Sequence, residues 1–256
     1  MNRIVFGAPF CALGLLLLAA CGDSGAGDAK DTSAAFIAAR DALAAKLIAD
    51  GGKGKMPGPS DPTVKAFEAR AGEAMATLGT PAMPVKAFDT YDQLCGKTAP
   101  IIFAYVTAGV DQAPEASRAE LMGRNTEQYM DQLLPPVLFA AHCSAVHLAS
   151  IDKAVSADDL RTKGAALGQI RQGAYAQANG LLQIVGDLDG ERRRKVVDLL
   201  ASDAGNFAIV FSREQRQELV ALTDRLRAGL PEDARGQADR IKAGFQQAPC
   251  GQLCTM

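Results

Sequence analysis

The chain has 256 residues, of which 48% are hydrophobic and 22% charged, and its formal net charge is −2 at pH 7. There is no basic excess to neutralise phosphates, so nucleic acid is not an expected partner. The charged and apolar fractions are those of a folded protein, which excludes a wholly disordered chain. In the sequence, the apolar run that is long enough to span a membrane lies at the N-terminus. A protein with several membrane-spanning segments is therefore excluded as well.

Residues 1–21 have the pattern of an export signal. Arg3 precedes an uncharged apolar stretch that ends in Ala19, Ala20 and Cys21. A short positive region, an apolar core and small residues at the exit are typical of a secretory signal peptide. The segment is therefore set aside from the fold.

The end of this segment resembles the lipobox of bacterial lipoproteins, because residues 18–21 read Leu-Ala-Ala-Cys and Gly22 follows. The resemblance implies that the signal peptide 1–20 is cleaved and that Cys21, the first mature residue, carries a diacylglyceryl group. Two acyl chains give stable anchoring, since each buried CH₂ contributes about 0.8 kcal/mol. In enteric lipoproteins Asp after the cysteine retains the protein at the inner membrane. Gly22 thus implies the outer membrane, facing the periplasm.

The residues from Cys21 to position 31 form the predicted tether. Residues 22–31 are small, polar and rich in glycine, which is typical of a flexible linker. The alternative is an uncleaved membrane helix. Gly7, Pro9 and Gly14 interrupt such a helix, and the flank after it is acidic where a basic one would be expected.

Four cysteines remain once Cys11 leaves with the signal and Cys21 is lipidated: Cys95, Cys143, Cys250 and Cys254. An even number in an exported protein predicts two disulfides. We favour Cys95–Cys143, joining two helices, and Cys250–Cys254, a short closure within the tail 249–256. The alternative pairs the tail with Cys95 or Cys143.

Helical patterns recur over residues 32–248 and predict an all-α, single-domain bundle of eight or nine helices. Helix starts are expected near residues 31–33, 62, 100, 114, 137, 157, 189, 212 and 231. The double proline at 135–136 predicts a bend between two helices. The apolar stretch 101–110 predicts a central buried helix, with a buried strand as the alternative.

The longest predicted helix covers residues 157–186 and starts at a capping box formed by Ser156 and Asp159. Four glycines lie within it, Gly164, Gly168, Gly173 and Gly180. Glycine in a helix interior costs about 1 kcal/mol relative to alanine, so we expect these positions to permit close helix–helix approach. The alternative is a helix broken near Gly173 or Gly180.

Two motifs around residues 142–153 point to chemistry, but each lacks the residues needed to complete a site. Cys143 and His147 are four apart on one helical face, whereas a zinc site needs three or four ligands and the chain has two histidines in all. Residues 150–153 match the S-x-x-K motif of penicillin-binding proteins and serine β-lactamases, without the companion motifs of that family.

Three further motifs lie between residues 187 and 217. Residues 187–191 read Asp-Leu-Asp-Gly-Glu and resemble part of a calcium-binding loop. Their glycine is in the fourth position, whereas an EF-hand loop needs glycine in the sixth. The basic cluster 192–195 predicts a solvated helix face, with a partner or phosphate contact as the alternative. Residues 211–217 resemble the helix start of periplasmic helical stress proteins, although a capping box at Ser212 and Gln215 explains the same pattern.

These observations predict a lipid-anchored cell-envelope protein with a binding or structural role and not an enzyme. The expected partners are the membrane, through Cys21, and an envelope protein. We expect no catalytic residue, no cofactor and no metal. The alternatives are a periplasmic helical chaperone or stress-response protein, and a hydrolase that would use His142 or His147.

Overall fold

The computed structural model describes residues 29–51, 55–80, 83, 85 and 91–255, and this part of the chain is all-α. Its helices are α1 Ala29–Gly51, α2 Pro62–Thr77, the four-residue α3 Tyr91–Leu94, α4 Ala99–Val106, α5 Glu115–Gln128, α6 Met130–Ala154, α7 Ala157–Ile184, α8 Gly190–Ala208, α9 Arg213–Gly229 and α10 Glu232–Gln247. Nine of them have eight residues or more. The predicted all-α bundle of eight or nine helices is confirmed.

The predicted signal peptide 1–20 and Cys21 lie outside the described residues, as does most of the predicted tether. α1 begins at Ala29, inside the segment assigned to the tether. The helix start predicted near residues 31–33 therefore lies earlier in the structure, and these residues already belong to the helix. Ala and Lys at positions 29 and 30 are good helix formers, which favours the earlier start.

The helices divide into two compact units, and the boundary falls between Cys143 and Ser144, inside α6. In the first unit α1 packs on α2 and α4. Its core contains Phe36, whose ring centroid lies 4.1 Å from that of Phe139 and 5.9 Å from that of Phe67.

The second unit comprises residues 144–255 of the described chain. Its most extensive helix packing joins α8 to α10. A Cβ atom added at Gly244 would lie 2.7 Å from the Cβ of Ala204 and 3.0 Å from the backbone nitrogen of Gly205. The absence of a side chain at Gly244 is what allows this approach.

The helix boundary predicted at Pro135-Pro136 is wrong, because α6 continues through both prolines and the chain breaks earlier, at Tyr129. A proline inside a helix costs about 3 kcal/mol. Burying an apolar side chain returns about 1.5–3 kcal/mol. Five such side chains flank the prolines: Leu133, Leu134, Val137, Leu138 and Phe139. Their burial offsets the cost and keeps the helix intact.

Among the described helices, α6 alone is long and apolar enough to cross a membrane by length and composition, but 67% of its apolar stretch is buried within the protein. The core helix of a folded domain passes the same test. Its burial identifies α6 as such a core helix.

The apolar run after Pro100 forms the short helix α4, so the strand alternative is wrong. Pro100 lies in its first turn, as predicted. Burial is confined to one face, at Ile101 and Tyr105, while Phe103 is 37% exposed. The expectation of burial on all sides is thus wrong too. Gly109, with φ of 72°, supplies the left-handed conformation that turns the chain after the helix.

α7 is continuous over 28 residues and opens with the predicted capping box at Ser156 and Asp159. Gly168 and Gly180 do not mark close packing, since a Cβ added at either position would meet no atom within 4 Å. The predicted role of these two glycines is wrong. Close approach requires a facing backbone, which the sequence of α7 alone does not reveal.

Candidate functional site

A cluster of hydrogen bonds in the second unit surrounds the C-terminal loop, residues 248–255. α10 ends at Gln247, and Pro249 then prevents its continuation. Cys250 and Cys254 are joined by a disulfide, with 5.5 Å between their Cα atoms. The loop is thus a short cross-linked ring at the end of the chain.

Arg216, in the first turns of α9, holds the start of this loop. Its Nη1 donates to the carbonyl of Ala248 at 2.7 Å, and its Nη2 donates to that of Pro249 at 3.1 Å. Its Nε donates to the carbonyl of Phe211 at 3.1 Å, which fixes the plane of the guanidinium. Partial burial lowers the pKa of Arg216. A guanidinium nevertheless remains charged at neutral pH.

Asp152, near the end of α6, holds the middle of the loop. Its buried carboxylate accepts a hydrogen bond from the backbone nitrogen of Leu253 at 2.8 Å. The backbone carbonyl of Leu253 accepts from Nη1 of Arg171 at 2.9 Å, and Leu253 itself is fully buried. The backbone nitrogen of Gly251 donates to the carbonyl of Ile209 at 2.9 Å. Together with Arg216, four separate segments therefore hold the loop.

Gly251 lies against the Asp152 carboxylate. A Cβ atom at this position would be 2.0 Å from Oδ2 of Asp152 and 2.4 Å from its Oδ1. No side chain fits there without moving the buried carboxylate that binds Leu253. The glycine between the two loop cysteines is therefore required by the contact with α6.

The four remaining cysteines lie in two contrasting environments. Cys95 and Cys143 form a disulfide with 5.6 Å between Cα atoms, and both residues are buried in the first unit. Cys250 is exposed and Cys254 half-buried. The structure thus places both favoured pairs at disulfide distance. The tail is held to the second unit by hydrogen bonds, and not by Cys95 or Cys143.

The structure brings Cys143 and His147 together with Cys95, and the ligand atoms of the three residues lie within 4.8 Å of one another. The sulfur of Cys143 is bonded to Cys95, so it is not the thiolate that a zinc ligand must be. His147 is fully buried. Residues 150–153 form the end of α6. Within this segment Asp152 makes a long-range contact, because its carboxylate accepts a hydrogen bond from the backbone nitrogen of Leu253.

Local ion pairs occur within the basic cluster 192–195, and helix capping accounts for the motif at residues 211–217. Within the basic cluster, Arg192 pairs with Asp189 at 3.5 Å and Lys195 with Glu191 at 3.1 Å. Ser212 and Gln215 form a capping box at the start of α9. This capping explains the pattern that resembles periplasmic stress proteins.

Sequence reasoning did not find the residues that hold the C-terminal loop. Asp152 and Leu253 are 101 positions apart, and Arg216 lies 32 positions from Ala248. The one local signal was the pair of cysteines beside Pro249, which indicates a structured end of the chain. Its partners carry no pattern of their own.

Comparison of the chain with protein families, with curated proteins and with solved structures gives no significant match.

Proposed function

We propose that the protein is a lipid-anchored lipoprotein of the cell envelope, held at the outer membrane and facing the periplasm, whose helical body is a binding or structural module. The observation that carries this proposal is the sequence Leu-Ala-Ala-Cys at residues 18–21, directly after an apolar segment that follows Arg3. Its unidentified partner is an envelope protein.

Two disulfides, one in the helical body and one in the C-terminal tail, support an extracytoplasmic location. Disulfides persist in oxidising compartments such as the periplasm and are rare in the cytosol. One of them, Cys95–Cys143, is buried in the first unit, where it contributes to the fold. A chain with this disulfide is suited to the periplasm, to which the proposed signal peptide would direct it.

The short connection between Cys21 and α1 supports a body that stays close to the lipid surface. Seven residues separate Cys21 from Ala29, where α1 begins, and they can span at most about 25 Å. Removal of residues 1–20 removes Arg3, which leaves 26 Lys and Arg against 29 Asp and Glu, a net charge of −3. Such a body is not attracted to anionic lipid, so the acyl chains would supply the binding energy.

Substitution of Cys21 tests the anchor. We expect Cys21→Ser to abolish incorporation of labelled palmitate, because the acceptor thiol is lost. Replacing residues 1–21 by a cleavable secretory signal should release the body into the soluble periplasmic fraction. Cys11→Ser is the matched control and should keep full labelling. Unchanged membrane retention of the chain with the replaced signal contradicts the proposal.

Photo-crosslinking in living cells tests the binding role. Ile48 on α1 is 79% exposed and Phe103 on α4 is 37% exposed, which makes them suitable positions in the first unit for a photoreactive residue. We expect a discrete crosslinked species from at least one of them, and none from the polar control position Arg161, whose side chain is 75% exposed. A smear of many unfolded clients would favour the chaperone alternative, and no crosslink at either position would contradict a binding role.

A further inference from the structure

We propose that Cys250 and Cys254 form a redox-active pair that exchanges its disulfide with the thiols of an external dithiol. Cys250 is exposed, so an incoming thiolate can reach its sulfur. The other disulfide is inaccessible, because Cys95 is 4% exposed and Cys143 is fully buried. The Cys250–Cys254 disulfide is therefore accessible to an external thiol, whereas the Cys95–Cys143 disulfide is enclosed and has a structural role.

The guanidinium of Arg216 makes Cys254 the better leaving group. Its Nη2 lies 3.5 Å from the Sγ of Cys254. A fixed positive charge beside a sulfur stabilises the thiolate, and a thiol of lower pKa leaves faster in thiol–disulfide exchange. No basic side chain is described within hydrogen-bond distance of Cys250. Attack at Cys250 with departure of Cys254 is thus the favoured direction.

The contacts that hold the loop are independent of the disulfide. The backbone nitrogen of Gly251 is bound to the Ile209 carbonyl, and Leu253 is bound to Asp152 and to Arg171. These hydrogen bonds involve the segment between the cysteines and need no sulfur–sulfur bond. After reduction they keep the two thiols close together. The pair can therefore be reoxidised without the loop first having to refold.

The exchange is balanced in two steps. A thiolate of the external dithiol attacks Sγ of Cys250, the Cys250–Cys254 bond breaks, and Cys254 leaves as a thiolate beside Arg216. The second thiol of the dithiol, as its thiolate, then attacks the sulfur bonded to Cys250. Cys250 leaves as a thiolate, and both protein thiolates take up the protons that the dithiol released. The protein gains two electrons and two protons, and the external dithiol becomes a disulfide.

The experiment uses the full mature chain, reduced for short times with dithiothreitol and then alkylated and mapped by peptide mass. We expect Cys250–Cys254 to be reduced at least about tenfold faster than Cys95–Cys143, because only the first is reachable. With glutathione as the reductant, the transient mixed disulfide should form on Cys250. Equal rates for the two bonds, or a mixed disulfide on Cys254, would overturn the proposal.

Variants of Arg216 separate the effect of charge from that of loop docking. We expect Arg216→Gln to slow reduction of Cys250–Cys254 by about three- to tenfold, and Arg216→Lys to restore part of the rate. Arg225→Gln is the matched control, since it removes an exposed arginine of the same helix that has no described contact with the loop, and it should not slow reduction. An unchanged or faster rate in Arg216→Gln would remove the role assigned to the guanidinium.

Discussion

Replacing Gly244 by alanine should lower the free energy of unfolding by about 1–3 kcal/mol, the usual cost of overpacking a tight contact. The new Cβ would lie 2.7 Å from the Cβ of Ala204 and 3.0 Å from the backbone nitrogen of Gly205. These atoms belong to α8, whose backbone cannot move away without loosening its packing on α10. Urea denaturation monitored by circular dichroism measures the loss.

Gly168→Ala is the matched control for this prediction. It is also a helical glycine of the second unit, but its added Cβ would meet no atom within 4 Å. Alanine there should raise stability by about 0.5–1 kcal/mol, because it restricts the unfolded chain and has the better helix propensity. If both variants shift the denaturation midpoint in the same direction, the prediction is contradicted. The close approach of α8 and α10 would then not explain the stability of the Gly244→Ala variant.

Loss of the buried disulfide should have the largest effect on stability. The Cys95→Ala, Cys143→Ala double variant removes a cross-link between residues 48 positions apart. Closing a loop of that size in the unfolded chain contributes about 4 kcal/mol in the chain-entropy description. We expect a loss of that order in urea denaturation under non-reducing conditions.

The corresponding Cys250→Ala, Cys254→Ala variant should lose about 2 kcal/mol or less, because its cysteines are 4 positions apart and the closed loop is short. The hydrogen bonds from Asp152 and Arg171 also hold the loop in place without the disulfide. A loss as large as that of the Cys95, Cys143 variant would mean that the loop disulfide, and not its hydrogen bonds, maintains the docked C-terminus.

Features with local causes could be predicted from the sequence. Asp61 caps α2 by accepting from the backbone nitrogen of Thr63 at 2.8 Å, and the Ser156–Asp159 box opens α7. Each motif and its hydrogen bond lie within a few residues of each other. The helix starts at Pro62 and Ala157 were therefore visible in the sequence alone.

Features that depend on distant segments could not be predicted. The apolar residues beside Pro135 can be seen in the sequence, but their burial, on which the continuation of α6 depends, cannot. The packing role of Gly244 depends on Ala204, and the role of Asp152 on Leu253, 101 positions away. In the candidate site the cysteines could be predicted as a pair, whereas the charged residues that position them could not.

The intact mass of the protein, extracted from membranes in detergent and kept non-reduced, tests the central claim most directly. The proposal predicts a chain that starts at Cys21, carries the added mass of acyl groups on that residue, and lacks the hydrogens lost in two disulfide bonds. A mass equal to residues 1–256 with every cysteine reduced and no added lipid would contradict it.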